Sequence, residues 1–240
     1  MRPGIFYDTV RFYAEGVKIV ENHGLAIELG DDFDEFARIC AKLKGRVSEH
    51  FDPRYMDLLS ERAVWMACYN GKGKVAAVQA IRCDDLGSAT LEQFLESQLP
   101  RINGGVPKVV SPGPKRISGR VVYHGELFLS ESIRKTQLGP CLIRLAQAEA
   151  MLRWHPAAVY GLTNKELVLK GFNMRKAYAH GHPHAIEWEE LPPGYNPTYF
   201  LIWNEWEDLE WMVRAGHEAY VAGLGKQQKP EVVRLAQQAG

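Results

Sequence analysis

The sequence predicts an α/β protein with a mixed central sheet flanked by helices. Three observations carry that reading. A strand, a glycine-bearing turn and a helix follow one another between Arg120 and Trp154. A hairpin pattern closes around Asn70-Gly71-Lys72-Gly73. Strand-like and helix-like segments alternate from residue 25 to residue 203, the pattern of a layered sheet-and-helix domain.

The elements follow in order. Residues 5–22 read as a helical arm carrying Phe6, Tyr7, Phe12 and Tyr13, and Gly24 releases a first strand at 25–29. Asp31 or Asp32 caps a helix with apolar positions Phe33, Phe36, Ile39, Cys40 and Leu43, and Gly45 ends it. Residues 53–59 read as a second helical stretch after a linker at 48–50. Ala63 to Tyr69 is a strand, and the return strand runs from Lys74 to Ile81 and closes at Cys83-Asp84-Asp85. Thr90 to Leu99 reads as a helix. Pro100 to Gly119 carries four prolines and four glycines and reads as a loop. Val121, Val122, Tyr123, Leu127, Phe128 and Leu129 mark the next strand. Leu138, Leu142, Leu145, Ala148 and Leu152 recur at helical spacing, so the following helix is expected to bury one face. Residues 158–162 form a strand, Thr163-Asn164 caps a helix from Lys165, and 185–188 and 198–203 read as the last two strands. A helix follows from Glu205 to Gly223. The domains are then an arm at 1–24, a main domain at 25–203 with an insertion at 87–119, and a helical extension at 204–240.

Composition narrows the function. Hydrophobic residues make up 46% and charged residues 24%, values of a globular chain rather than a disordered one. Lys+Arg and Asp+Glu are both 29, and a net charge of zero argues against a general nucleic-acid or anionic-membrane binder. Cys40, Cys68, Cys83 and Cys141 are widely spaced and read as buried reduced thiols, which with the absence of a signal-peptide core at the start of the chain points to a cytoplasmic protein. No apolar run reaches the length of a membrane helix.

The turn between strand and helix is the sharpest chemical feature. A strand that feeds a turn at a helix N-terminus presents unpaired N–H groups, which together with the helix dipole favour an anion such as a pyrophosphate. Arg134 and Lys135 add positive charge there. The layout resembles the acyl-CoA signature of the GCN5-related N-acetyltransferases, R/Q-x-x-G-x-G/A. Arg134 takes the first position and Gly139 the last, while Gln137 stands where the family has its middle glycine. The order strand, helix, helix, hairpin, strand, turn, helix also matches that fold. The resemblance implies an acyl-CoA N-acyltransferase (GNAT)-like fold and acetyl-CoA as co-substrate. Arg134, Lys135, Thr136, Gln137, Leu138 and Gly139 would hold the pyrophosphate, with Leu127, Phe128 and Leu129 on the pantetheine arm and Asn164 near it. Tyr178 is the match for the tyrosine that faces the thiol, and Gly171-Phe172 falls earlier than the family's closing pair. Glu126 is the candidate base, its alternative being a solvent-facing strand carboxylate. The acceptor would be a small-molecule or peptide amine, and a homodimer is compatible with this picture.

Two alternatives stay open. One is a catalytically silent CoA- or ligand-binding protein of the same fold. The other is a related acyltransferase with another acyl donor, of the acyl-homoserine-lactone synthase or aminoacyl-tRNA-dependent type. The acid-free segment 97–125, with Arg101, Lys108, Lys115, Arg116 and Arg120, would suit a tRNA or the 3′-phosphate of CoA if it lies beside Arg134. His180, His182 and His184 alternate, but Gly181 and Pro183 read as a loop, and no metal site is expected.

Overall fold

The computed structural model describes residues 1–134, 136–164, 168, 178–190 and 199–221. Lys135, the segment 165–167, Gly171-Phe172 and the tail from Gly225 lie outside them, so the expectations placed there stay as stated.

Helix α1 (Pro3–Asn22) leads into strand β1 (Leu25–Gly30). Helix α2 (Phe33–Lys44) starts where Asp32 accepts a hydrogen bond from the Glu35 amide and ends at Gly45, which takes φ 88°. Strands β2 (Ala63–Asn70) and β3 (Val75–Thr90) form the expected hairpin. The Asn70 side chain accepts from the amides of Lys72 and Lys74, which fixes the turn locally. Helix α3 (Leu91–Asn103) begins with a complete capping box between Thr90 and Gln93. Strands β4 (Val106–Val109) and β5 (Ser118–Leu129), helix α4 (Leu138–Trp154) and strand β6 (Ala158–Asn164) follow. Strands β7 (His180–His182), β8 (Ile186–Glu190) and β9 (Tyr199–Glu205) precede helix α5 (Trp206–Val221), which breaks helical geometry at Gly216.

Seven strands form one sheet in the order β1-β2-β3-β5-β6-β9-β7. Its neighbours are antiparallel except β5 and β6, which run parallel. Strands β4 and β8 form a separate two-stranded sheet. The fold class read from the sequence is therefore the one observed. One face of the large sheet packs Ala63, Trp65, Ala80 and Tyr123 against α2, α3 and the small sheet. The other packs Val64, Met66, Ile81 and Val122 against α1, α4 and α5. Strand β2 is buried on both faces, which explains its unbroken apolar run.

Several elements differ from expectation. Residues 53–55 form a turn and 56–59 are irregular, and the local helix is a single 3-10 turn at Glu49–Phe51. Strand β3 does not close at Cys83-Asp84-Asp85. Asp84 is held by the buried Arg82 guanidinium and pairs across to Val121, which carries the strand on. The stretch 100–119 is not a bare loop. It completes α3, supplies β4 and buries Ile102, Val109 and Ile117. Helix α4 is buried nearly all round rather than on one face, because the sheet lies on one side and α1 and α5 on the other. Thr163 and Asn164 belong to β6, and the helix expected from Lys165 begins outside the described residues. His180-Gly181-His182 is a strand at the sheet edge, whereas 186–190 leaves the main sheet to pair with β4.

Candidate functional site

The parallel pairing of β5 and β6 covers only Val121 to Tyr123 opposite Ala158 to Tyr160. Beyond those residues the two strands separate. Each keeps its outer partner, β5 with β3 through Leu129 and β6 with β9 through Asn164. A wedge therefore opens between His124–Leu129 and Gly161–Asn164, with backbone donors and acceptors along both inner edges. Gly161 marks its apex, where a Cβ would meet the His124 carbonyl oxygen at 2.9 Å. The register also slips there, because Ala80 opposes Gly125 and Val78 opposes Phe128. Glu126 is the extra residue of this bulge and takes φ 59°, outside the usual range for a non-glycine residue.

The bulge turns Glu126 toward α2. Its side chain is 3% exposed, so it is not a solvent-facing strand carboxylate. One oxygen accepts the Ser48 amide at 2.9 Å, and the other forms an ion pair with Lys44 and lies 3.7 Å from the Cys40 sulfur. Glu126 thus ties the 44–48 segment to the sheet.

A buried polar chain lies on the α4 face of the apex. The Gln79 amide donates to the Leu142 carbonyl at 2.6 Å, and its oxygen lies 3.1 Å from Nε2 of His124. A carbonyl only accepts, so Gln79 must offer its oxygen to His124, and His124 carries its proton on Nε2. Its Nδ1 then accepts from the Tyr178 hydroxyl at 2.7 Å. Tyr178 is 5% exposed, packs with Ile143 and Ile202, and is kept protonated by burial. Gln147 hydrogen-bonds the same phenol and links to Asn204, which accepts the Ala179 amide at 2.6 Å.

Below the wedge, a 3-10 turn at Glu131–Ile133 and residues 134–137 lead into α4. The donors here are fewer than the sequence reading supposed. The Arg134 amide bonds Ser130, the Thr136 amide bonds Ile133, and the Leu138 amide bonds the Thr136 hydroxyl. Pro140 has no N–H, so Gln137 and Gly139 are the described first-turn amides left for a ligand. The Arg134 guanidinium folds back onto the Leu129 carbonyl at 2.8 Å and over the Phe128 ring. Leu127, Phe128 and Leu129 lie along the inner edge of β5, and Asn164 stands on the opposite edge.

The basic segment does not join this site. Arg120 and Leu129 sit at opposite ends of β5, about 30 Å apart at the rise of an extended strand. Lys115 pairs with Glu92, and Arg116 with Glu205. The histidines of β7 are committed elsewhere. His180 pairs with Asp208 at 2.9 Å, His182 contacts the Ser111 hydroxyl, and both pack on Trp203. Among the described residues no group of three or more His, Cys, Asp or Glu side chains is placed to hold a metal. No described helix is long and apolar enough to cross a membrane.

Sequence reasoning missed Gln79, His124, Gln147 and Asn204. The one available signal was Gln79, a lone amide within the apolar run VAAVQAI.

No protein-family model matches the chain, and no curated protein is similar to it in sequence. Solved structures do align with it. NAA60 of Arabidopsis thaliana in complex with acetyl-CoA gives a TM-score of 0.47 at 11% identity, over 75% of this chain and 98% of that one. FeeM, an N-acyl amino acid synthase from uncultured soil microbes, gives 0.43 at 10% identity, over 78% and 98%. Naa50 of Arabidopsis thaliana with a bisubstrate analogue gives 0.43 at 10% identity, over 76% and 99%. The described strands, with one parallel pair and a strand–turn–helix beneath it, form the mixed sheet flanked by helices that the sequence predicts.

Proposed function

We propose that the protein binds an acyl-CoA, with acetyl-CoA the simplest candidate, and transfers its acyl group to an amine. The observation that carries this reading is the wedge between β5 and β6, which opens directly above the N-terminus of α4. An extended chain with amides fits between two strand edges that lack each other as partners, since main-chain groups can pair with it as a further strand would. The amides at Gln137 and Gly139 and the dipole of α4 suit the pyrophosphate at the other end of the same ligand. Pantetheine would then run along 126–129 and the thioester would lie near the apex at His124 and Gly161.

The chemistry asks little covalent work of the protein. The amine nitrogen forms a bond to the thioester carbon, the C–S bond breaks, the nitrogen loses a proton and the sulfur gains one. Holding the two reactants in line supplies much of the acceleration. We assign Tyr178 to the departing sulfur: burial keeps the phenol protonated, and its hydroxyl, which rests on His124, would turn to the sulfur as the C–S bond breaks. Glu126 is assigned a holding role, since its carboxylate already serves Lys44 and Ser48.

The test is thermal denaturation with and without acetyl-CoA. A ligand present at one hundred times its Kd raises stability by about 2.7 kcal/mol, a shift of several degrees for a chain of this size. An unchanged Tm at millimolar acetyl-CoA would remove the reading.

A further inference from the structure

The phosphate end of the donor, on the reading above, lies on the α4 face of the sheet, so a second reactant must reach the apex from the α2 face. The residues that stand there are not those of the Tyr178 chain. His50 packs its ring against Tyr123 with centroids 4.6 Å apart, and Tyr123 packs on Tyr160 at 5.3 Å. Tyr123 and Tyr160 are the last paired residues before the strands part. The row of three rings therefore crosses the sheet at the apex itself.

The segment that carries His50 is clamped at both ends by buried charged side chains. Glu126 accepts the Ser48 amide at 2.9 Å, and Arg82 donates to the His50 carbonyl at 2.6 Å. Arg82 is in turn held by Asp84 and lies over the Tyr123 ring. Such clamps fix the backbone of residues 48–50 and leave the imidazole as the variable part. Among the described residues no side chain or backbone group hydrogen-bonds either nitrogen of that half-buried ring. The other charges near it, Glu49 and Asp52, are engaged by Arg46 and Arg54.

We propose that His50 is the acceptor-binding residue, receiving a hydrogen bond from the N–H of an amine that is uncharged at neutral pH, an aromatic amine in preference to an alkylammonium. Two features select that class. The half-buried His50 ring is the outer member of the row, Tyr123 and Tyr160 being 6% and 1% exposed, so an aromatic body would pack against the imidazole rather than on the tyrosines. The positive end of Arg82 and the burial of the site oppose a second cation there. The same two causes, burial first and Arg82 second, push the imidazole down to about 3, so His50 itself stays neutral and keeps a lone pair to offer. An alkylammonium in the same place would meet the same penalty, whereas aniline would not.

The inference rests on the acyl-transfer reading, and one set of measurements separates the two. The probes are acetyl-CoA with aniline or benzylamine, which are similar in size and differ in charge at pH 7. Thiol release is followed for wild type and for His50→Phe, which keeps a ring and removes the acceptor, and CoA affinity is measured for both by calorimetry. Wild type is expected to favour aniline by roughly tenfold in kcat/KM, the worth of one well-placed polar contact. His50→Phe should lose about that factor for aniline and bind CoA as wild type does. His50→Gln, which restores an acceptor oxygen, should recover part of the loss. Aniline turnover equal in His50→Phe and wild type, a preference for benzylamine, or no turnover of either amine by a protein that binds CoA would each overturn the inference alone. Failure of wild type to bind CoA would overturn the acyl-transfer reading and this inference with it.

Discussion

Replacing Gln79 by Met tests whether the polar chain under the apex is a connected unit. Gln79 is 2% exposed and bridges two elements, donating to Leu142 in α4 and accepting from His124 in β5. Met has nearly the same length, so the change removes hydrogen bonds without opening a large cavity. The Nε2–H of His124 is left without its acceptor in the core, and the Leu142 carbonyl loses its side-chain donor. A buried group left unsatisfied costs about 1–3 kcal/mol, and with the second, weaker loss we expect a total of about 3 kcal/mol. At roughly 2–4 °C per kcal/mol for a chain of this size, Tm should fall by about 6–12 °C. The coupling is the more specific result. His124→Leu made on top of Gln79→Met removes the orphaned donor, so the double variant should be more stable than the sum of the two single losses by about 1–2 kcal/mol. Urea denaturation of the four proteins, followed by circular dichroism, gives the cycle. Strict additivity, or a fall of less than about 2 °C in Gln79→Met, would refute the connected network.

Two further outcomes follow from the core. His217 is 3% exposed, stacks on Phe12 and is held down to about 4 chiefly by burial. A histidine depressed in the folded state gives its full contribution above its unfolded value and loses it as pH falls toward the folded one. Between pH 7 and pH 5 this amounts to about 2 kcal/mol, and His217→Gln should flatten that part of a urea-midpoint series, whereas an equal slope would contradict it. Leu95 of α3 is 2% exposed within the main core, so Leu95→Ala should cost about 2–5 kcal/mol, and a wild-type Tm would mean that residues 87–119 are a dispensable insertion after all.

What the sequence made legible was what short-range chemistry decides. Asn70 satisfies its own turn, Asp32 and Gly45 cap α2 from either end, and Thr90 and Gln93 close a capping box, so each of these elements can be read within a few residues. The strand–turn–helix at 120–154 was readable for the same reason. What escaped depends on distant partners. Strand β3 continues past Asp84 because Val121 and Arg120 pair with it, and β4 exists because residues 186–190 return to meet it. The apex of the wedge was only half legible. Tyr178 and Glu126 were visible as residue types, but the bulge that turns Glu126 toward Lys44 and the histidine that receives Tyr178 arise from pairing register. Nothing in the neighbourhood of His50 marks it, since its setting is made by Glu126, Arg82 and Tyr123 from strands far along the chain.

The claim that the N-terminus of α4 holds the pyrophosphate of CoA is tested most directly by calorimetry on wild type and Gln137→Glu. Gln137 is the N-cap residue of α4, is partly exposed and makes no capping hydrogen bond with its side chain. A carboxylate there favours the helix dipole by about 0.3–1 kcal/mol, so Tm should stay level or rise slightly. The same carboxylate repels a pyrophosphate seated on the first-turn amides, so CoA should bind wild type and bind the variant roughly tenfold more weakly, with the gap narrowing as salt is added. Equal affinity in the two proteins across the salt series would contradict the account.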